Sequence, residues 1–185
     1  MAEFEDNQSI NGSGSGANFP GIAHASSGIQ SQAFGTGRTL MEHVTYKDLV
    51  AIKNKIAKKY LVQNRNKIAW VMSQSMYSAI EALSDTQGRP LIKESIKGES
   101  EFQSLFSYPV EIVESFPSTN SANQTVLAFG NFAYYFLGDR KQITFEMGYA
   151  TGGFETDTQS LKANERIGAK IAFTEAFVLG KTAAS

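Results

Sequence analysis

From Thr45 onward the apolar and polar positions fall into regular patterns; before it they do not. Leu49, Ile52, Ile56 and Tyr60 recur at helical spacing, and Val50, Ala57 and Leu61 widen the stripe. Thr45 followed three residues later by Asp48 makes a capping-box-like start, with Asp in place of the more usual Glu. The pattern predicts a helix over about residues 45–61, with Lys53, Lys55, Lys58 and Lys59 on its remaining surface. The unbroken apolar run Ile68-Ala69-Trp70-Val71-Met72 predicts a buried strand with Trp70 in the core. Ser73 is a good N-cap, and Met76, Ile80 and Leu83 share one face of a second helix over about 74–84. Asp85-Thr86-Gln87-Gly88 has the residues of a type I turn. Pro90-Leu91-Ile92 leads into an expected short strand, and another is expected over residues 108–113. This middle stretch reads as a small α/β layer.

After Asn123 the texture becomes β-like. Runs at residues 126–129, 132–137 and 143–147 are separated by Gly130-Asn131 and Gly138-Asp139-Arg140, and two more follow at 167–173 and 176–179. In the run 132–137 both strand faces are apolar, which predicts burial on both sides. Two helices cannot cover so many apolar strands, so the pattern points to a second polypeptide. The expectation is self-association through this C-terminal region; otherwise the part before it folds alone and residues 150–185 stay mobile.

Residues 3–44 carry no sustained period and read as a long loop, whose length suggests contacts outside the chain. Within it, Gly12, Gly14 and Ala17 fit the G-x-G-x-x-[G/A] dinucleotide fingerprint. That motif needs a strand before it and a helix after it, because the pyrophosphate sits on the helix N-terminus. The polar stretch before Gly12 and the Asn18-Phe19-Pro20-Gly21 turn after it supply neither. The segment reads as a Gly/Ser-rich loop, with no phosphate site.

Composition narrows the chemistry further. The 185 residues, 42% hydrophobic and 19% charged, suit a globular chain, and a net charge of −1 gives no general pull toward nucleic acid or an anionic membrane. The absence of cysteine excludes disulfides, thiolate metal sites and a cysteine nucleophile. His24 and His43 lie nineteen residues apart with no ligand spacing around them. Gly12-Ser13-Gly14-Ser15-Gly16 does not match the G-x-S-x-G nucleophile elbow. Glu94, Glu99, Glu101, Glu111 and Glu114 read as scattered surface carboxylates. No signal peptide opens the chain and no apolar run reaches membrane-spanning length, which predicts a soluble, cytoplasmically made protein. The reading is therefore no catalytic residue, no cofactor-binding residue and no metal ligand.

The order of the segments carries more than any one of them. A Gly-rich loop ends in Pro20-Gly21-Ile22, and a helix, Ile68-Ala69-Trp70-Val71-Met72 and its own helix follow. Next come Asp85-x-x-Gly88-x-Pro90-Leu91, Leu105-x-x-Tyr108-Pro109-Val110 and Phe129-Gly130-Asn131-Phe132-x-x-Tyr135. Asp139-Arg140, Glu165-Arg166 and Glu175-Ala176-Phe177 close the series. In this order the segments resemble the major capsid proteins of tailed bacteriophages, the Hong Kong 97-type fold.

The resemblance implies an α+β subunit in which an axial domain, a mixed sheet flanked by helices, is followed by β-rich peripheral strands. It divides the chain into a loop-rich segment at 1–44 leading into the axial part, an axial domain at 45–149 and returning peripheral strands at 150–185. The family's N-terminal arm, extended loop and spine helix would lie before residue 1, as in a truncated form or a broken prophage gene. The implied function is structural: a subunit of an icosahedral tailed-phage or prophage capsid, self-assembling into pentamers and hexamers. Its implied partners are other copies of itself and scaffold or portal proteins, without nucleic-acid sequence specificity or membrane contact. Its implied place is the virion, after synthesis in the host bacterial cytoplasm. Some members cross-link a loop lysine to an asparagine beside a glutamate. Here Asp157 falls at the asparagine position and Asn164 at the glutamate position, so cross-linking is not expected. The competing class is a small-molecule-binding or hydrolytic α/β domain, which needs a deep pocket with convergent ionisable groups.

Overall fold

A seven-stranded mixed sheet is built around the predicted strand 68–72. The computed structural model describes residues 2–15, 18–84, 90–97, 100–149 and 159–184. In chain order the elements are α1 (Ala2–Asn11), β1 (Gln30–Ala33), α2 (Tyr46–Lys55), α3 (Lys58–Val62), β2 (Ile68–Met72), α4 (Gln74–Glu81) and β3 (Ile92–Lys97). There follow β4 (Ser100–Leu105), β5 (Tyr108–Ile112), β6 (Thr125–Asn131), β7 (Tyr135–Tyr149), β8 (Gln159–Ile171) and β9 (Phe177–Lys181). The large sheet runs β1-β9-β6-β2-β5-β4-β3, and β7 with β8 forms a separate two-stranded ribbon. Pairing is parallel for β1 with β9 and for β2 with β5, and antiparallel at every other neighbour.

The core forms where the central strands are apolar on both faces. Trp70 is fully buried, stacks on Phe129 with ring centroids 4.2 Å apart, and donates its indole N–H to the Leu105 carbonyl at 3.2 Å. Gly130 lets Phe177 lie flat on β6, for a Cβ there would run into the Phe177 ring and the Ala176 carbonyl. Both Val126–Phe129 and Ala176–Leu179 are thus buried in this chain's own sheet. That corrects the expectation that these strands lack cover, because β9 returns to pair with β6 and α2 packs against β9. Of the segment 150–185, residues 176–183 are likewise packed into the body rather than free. Thr182 is fully buried, donating its hydroxyl to the Ser121 carbonyl at 2.6 Å, and the Ala183 N–H bonds to the Arg38 carbonyl at 2.9 Å.

Four further expectations need correction. Residues 3–44 are not all loop: α1 occupies 2–11 and β1 occupies 30–33. Residues 21–23 fold back on the end of α1, where the Ile22 and Ala23 N–H groups donate to the Ser9 and Ile10 carbonyls at 2.9 and 2.7 Å. Those carbonyls would otherwise be orphaned at the helix C-terminus. A Cβ on Gly21 would collide with the Ile10 backbone, so the glycines serve close backbone approach.

The helix expected over 45–61 is two helices. Ile56 and Ala57 are extended, with ψ near 131° and 135°, and the chain turns there before α3. The turn brings the carbonyls of Tyr60 in α3 and of Gln63 just after it onto the buried Asn131 amide, each at 2.8 Å. In the run 132–137, Phe132–Tyr134 is a 3-10 turn and the strand begins at Tyr135, with Phe136 and Leu137 exposed rather than buried on both sides. Finally, 143–147 is not a separate strand but the continuation of β7 through two irregularities between Asp139 and Thr144. The turn expected at 85–88 lies outside the described residues. The helix at α4 is as expected, with Ser73 Oγ accepting from the Met76 N–H at 3.3 Å.

Candidate assembly surface

The ribbon leaves the body at Tyr135 and Ile171, which pack on the core. Beyond them no described side chain of residues 136–170 joins the core cluster. The cross-strand register explains how its two faces differ. Phe145 lies opposite Ala163, Met147 opposite Leu161 and Tyr149 opposite Gln159, and opposite residues share a face. Ile143 continues that face by strand alternation. The other face carries Thr144 opposite Asn164, Glu146 opposite Lys162 and Gly148 opposite Ser160. One face is apolar, the other polar.

The apolar face stands open: Phe145 is 68% exposed, Met147 73%, Leu161 66% and Tyr149 51%. Each large apolar side chain left in water forgoes roughly 1.5–3 kcal/mol of burial. A two-stranded ribbon is also marginal alone in water.

The residues weighed for chemistry stay apart. Gly12 and Gly14 belong to the folded-back loop, with no strand leading into them. His24 Nδ1 pairs with Ser26 Oγ at 2.8 Å, while His43 sits in a separate 3-10 turn at 41–43. Glu111 and Glu114 are exposed, Glu99 lies outside the described residues, and the side chains of Glu94 and Glu101 are not described. Among the described residues no group of three or more His, Cys, Asp or Glu could hold a metal ion. No helix among the described residues is long and apolar enough to cross a membrane. A cavity of about 560 Å³ lies between α1 and the ribbon base, lined by Gln8, Phe19, Gly138, Arg140, Glu165 and Arg166 among others. Its walls are two arginines and one glutamate around facing glycines, without a nucleophile and base in sequence-predicted roles. Asp157 lies outside the described residues, and Asn164 is half-buried on β8, its carbonyl accepting from Thr144 Oγ1 at 3.4 Å.

The sequence reading missed the ribbon as one element, although the signal was present. Ile143-Thr144-Phe145-Glu146-Met147-Gly148-Tyr149 alternates strictly, which is the pattern of a strand with one wet face. Reading Gly138-Asp139-Arg140 as a break hid it, because an irregular stretch within a strand uses the same residues as a turn.

A family model described as the phage capsid family matches residues 1–182. The chain belongs to the phage capsid family. Among solved structures, the capsid of the native GTA particle superposes with a TM-score of 0.72 at 24% identity, and that of the empty particle with 0.71 at 23%. Each match covers 99% of this chain and 62% of the other. Gordonia phage Cozz gives a TM-score of 0.63 at 16% identity, covering 100% of this chain and 60% of the other. The SrpI encapsulin from Synechococcus elongatus PCC 7942 gives 0.62 at 12%, covering 98% and 61%. The capsid-family chain therefore spans about three fifths of the length of the solved chains it matches. No curated protein matches it. These likenesses bear out the α+β fold class, a mixed sheet flanked by helices with further β-strands.

Proposed function

We propose that this chain is a structural subunit of an icosahedral shell of a tailed phage or prophage, acting by self-assembly into pentamers and hexamers rather than by catalysis. The observation that carries the reading is the family match over residues 1–182. The body holding the seven-stranded sheet takes the axial role and the β7–β8 ribbon the peripheral one. The separate two-stranded sheet of β7 and β8 supports drawing that boundary at the ribbon. The partners are other copies of the same chain, with scaffold or portal proteins in the full assembly. The site of action is the virion, after synthesis in the bacterial cytoplasm. Ring closure about a five- or six-fold axis needs two different flanks of the subunit to meet, since a heterologous contact is what generates a ring.

Sedimentation velocity over a concentration series tests the reading. A shell subunit gives discrete species much larger than the 20.2 kDa chain as concentration rises. A single 20.2 kDa species at every concentration, unchanged by salt or crowding, contradicts it.

A further inference from the structure

We propose that the dipeptide Asn11-Gly12 is a latent deamidation site: the fold holds it shut, and it reacts when the last turn of α1 lifts from the body, making that opening permanent. The chemistry of these two residues and of their surroundings carries it, independently of the shell-subunit reading.

Asn11-Gly12 is the only Asn-Gly pair in the chain. Glycine leaves its backbone nitrogen unshielded by a Cβ, so that nitrogen can reach the side chain of the preceding asparagine. The reaction needs only base and water. Hydroxide takes the proton from the Gly12 nitrogen, which then attacks Cγ of Asn11. A new N–C bond closes a five-membered succinimide, the bond from Cγ to Nδ2 breaks, and the amide group leaves as ammonia with a proton from water. One water then adds across either ring carbonyl, giving aspartate or isoaspartate. The fold requires the reactive pair, because a Cβ at residue 12 would run into the carbonyls of Phe19 and Gln8.

The same fold blocks the attack at both reacting groups. Asn11 Nδ2 donates to Asn7 Oδ1 at 3.0 Å and to the Ser115 carbonyl at 2.7 Å. The side chain is thereby tied back along α1 and across to the segment between β5 and β6. Gly12 is buried; its N–H donates to the Gln8 carbonyl at 3.0 Å, and its carbonyl accepts from the Gly21 N–H at 2.8 Å. Attack requires a local opening that releases the Asn11 amide and the Gly12 nitrogen together. After reaction the old contacts cannot re-form. A carboxylate has no hydrogen to give the Ser115 carbonyl, and it sets a negative charge at the C-terminal end of a helix, where the backbone is already negative. A turn that has opened and reacted therefore stays open.

Peptide mapping by mass spectrometry of the full chain, aged at mildly alkaline pH, reads aspartate and isoaspartate at residue 11. The chain unfolded in urea should react there at least ten-fold faster than the folded chain. Asn7→Ala, which removes one acceptor at an exposed helical position, should speed the folded chain at least three-fold and leave the unfolded rate unchanged. Asn11→Asp, standing in for the product, should exchange the amides of residues 9–12 at least ten-fold faster than the unsubstituted chain, with β2 and β6 unaltered. Each of three results overturns the proposal: equal rates in the folded and unfolded chain, a folded-state rate that Asn7→Ala leaves unchanged, or Asn11→Asp amides as protected as before. The first comparison uses the unsubstituted chain, so it decides the matter even if a variant folds poorly.

Discussion

Asp48 accepts four hydrogen bonds, from the Gly35 N–H, Arg38 Nη1, the Thr45 N–H and the Thr45 hydroxyl, at the start of α2. Burial alone pushes its carboxyl up, but the bonds from Thr45, Gly35 and Arg38 outweigh that and hold it below its ordinary value. A carboxyl depressed in the folded state adds stability above its unfolded value, near ~4, and loses it as pH falls through the lower folded value. The stability gap between the unsubstituted chain and Asp48→Asn should therefore be full at neutral pH and shrink below about pH 4. Urea unfolding across pH measures it. Asp48→Ala should cost about 2–3 kcal/mol at pH 7, since it strands a partly buried guanidinium and two N–H groups. Gly130→Ala should cost about 1–3 kcal/mol by forcing Phe177 off β6, which the same unfolding experiment reads. The Thr45–Asp48 pairing was legible because its spacing is local. Gly35 and Arg38 were not, because partners ten and thirteen positions away leave no periodic trace.

At the scale of elements, local patterns identified β2, β6 and α4, whose apolar residues are largely buried, and β5, where Tyr108 and Val110 are half-buried. The break between α2 and α3 was not legible, because Ile52, Ile56 and Tyr60 keep helical spacing although the backbone at Ile56 and Ala57 is extended. The break exists to bring the end of α3 onto Asn131, a partner some seventy residues later. It can be tested directly. Ala57 has φ of −62° and follows an extended residue, which suits proline. Ala57→Pro should be neutral or stabilise by up to about 1 kcal/mol. In one continuous helix the same change would cost ~3 kcal/mol, a loss that thermal unfolding would show at once. The polar strand β1 was equally hidden, since Gln30, Ser31 and Gln32 have no strand-like alternation and are held by pairing with β9 at the sheet edge.

Across the whole molecule, a body that completes its own core carries a ribbon that does not. Sequence order alone was enough for the family, because the order of segments survives where single motifs are weak. Of the apolar runs expected to lack cover, 143–147 is exposed, together with Tyr149 and Leu161. Phe129 and Phe177 are buried instead, because β6 and β9, some fifty residues apart, pair in a way no local reading joins. Hydrogen exchange should reflect this division. Amides of β2, β6 and β9 should be protected at every concentration, and those of the distal ribbon only where copies associate. The most direct measurement is electron microscopy of the purified full chain at concentrations above its association midpoint. The account predicts rings or closed shells built from five- and six-fold clusters of the sheet body. Dispersed single subunits at every concentration, with residues 143–149 already protected from exchange, would contradict it.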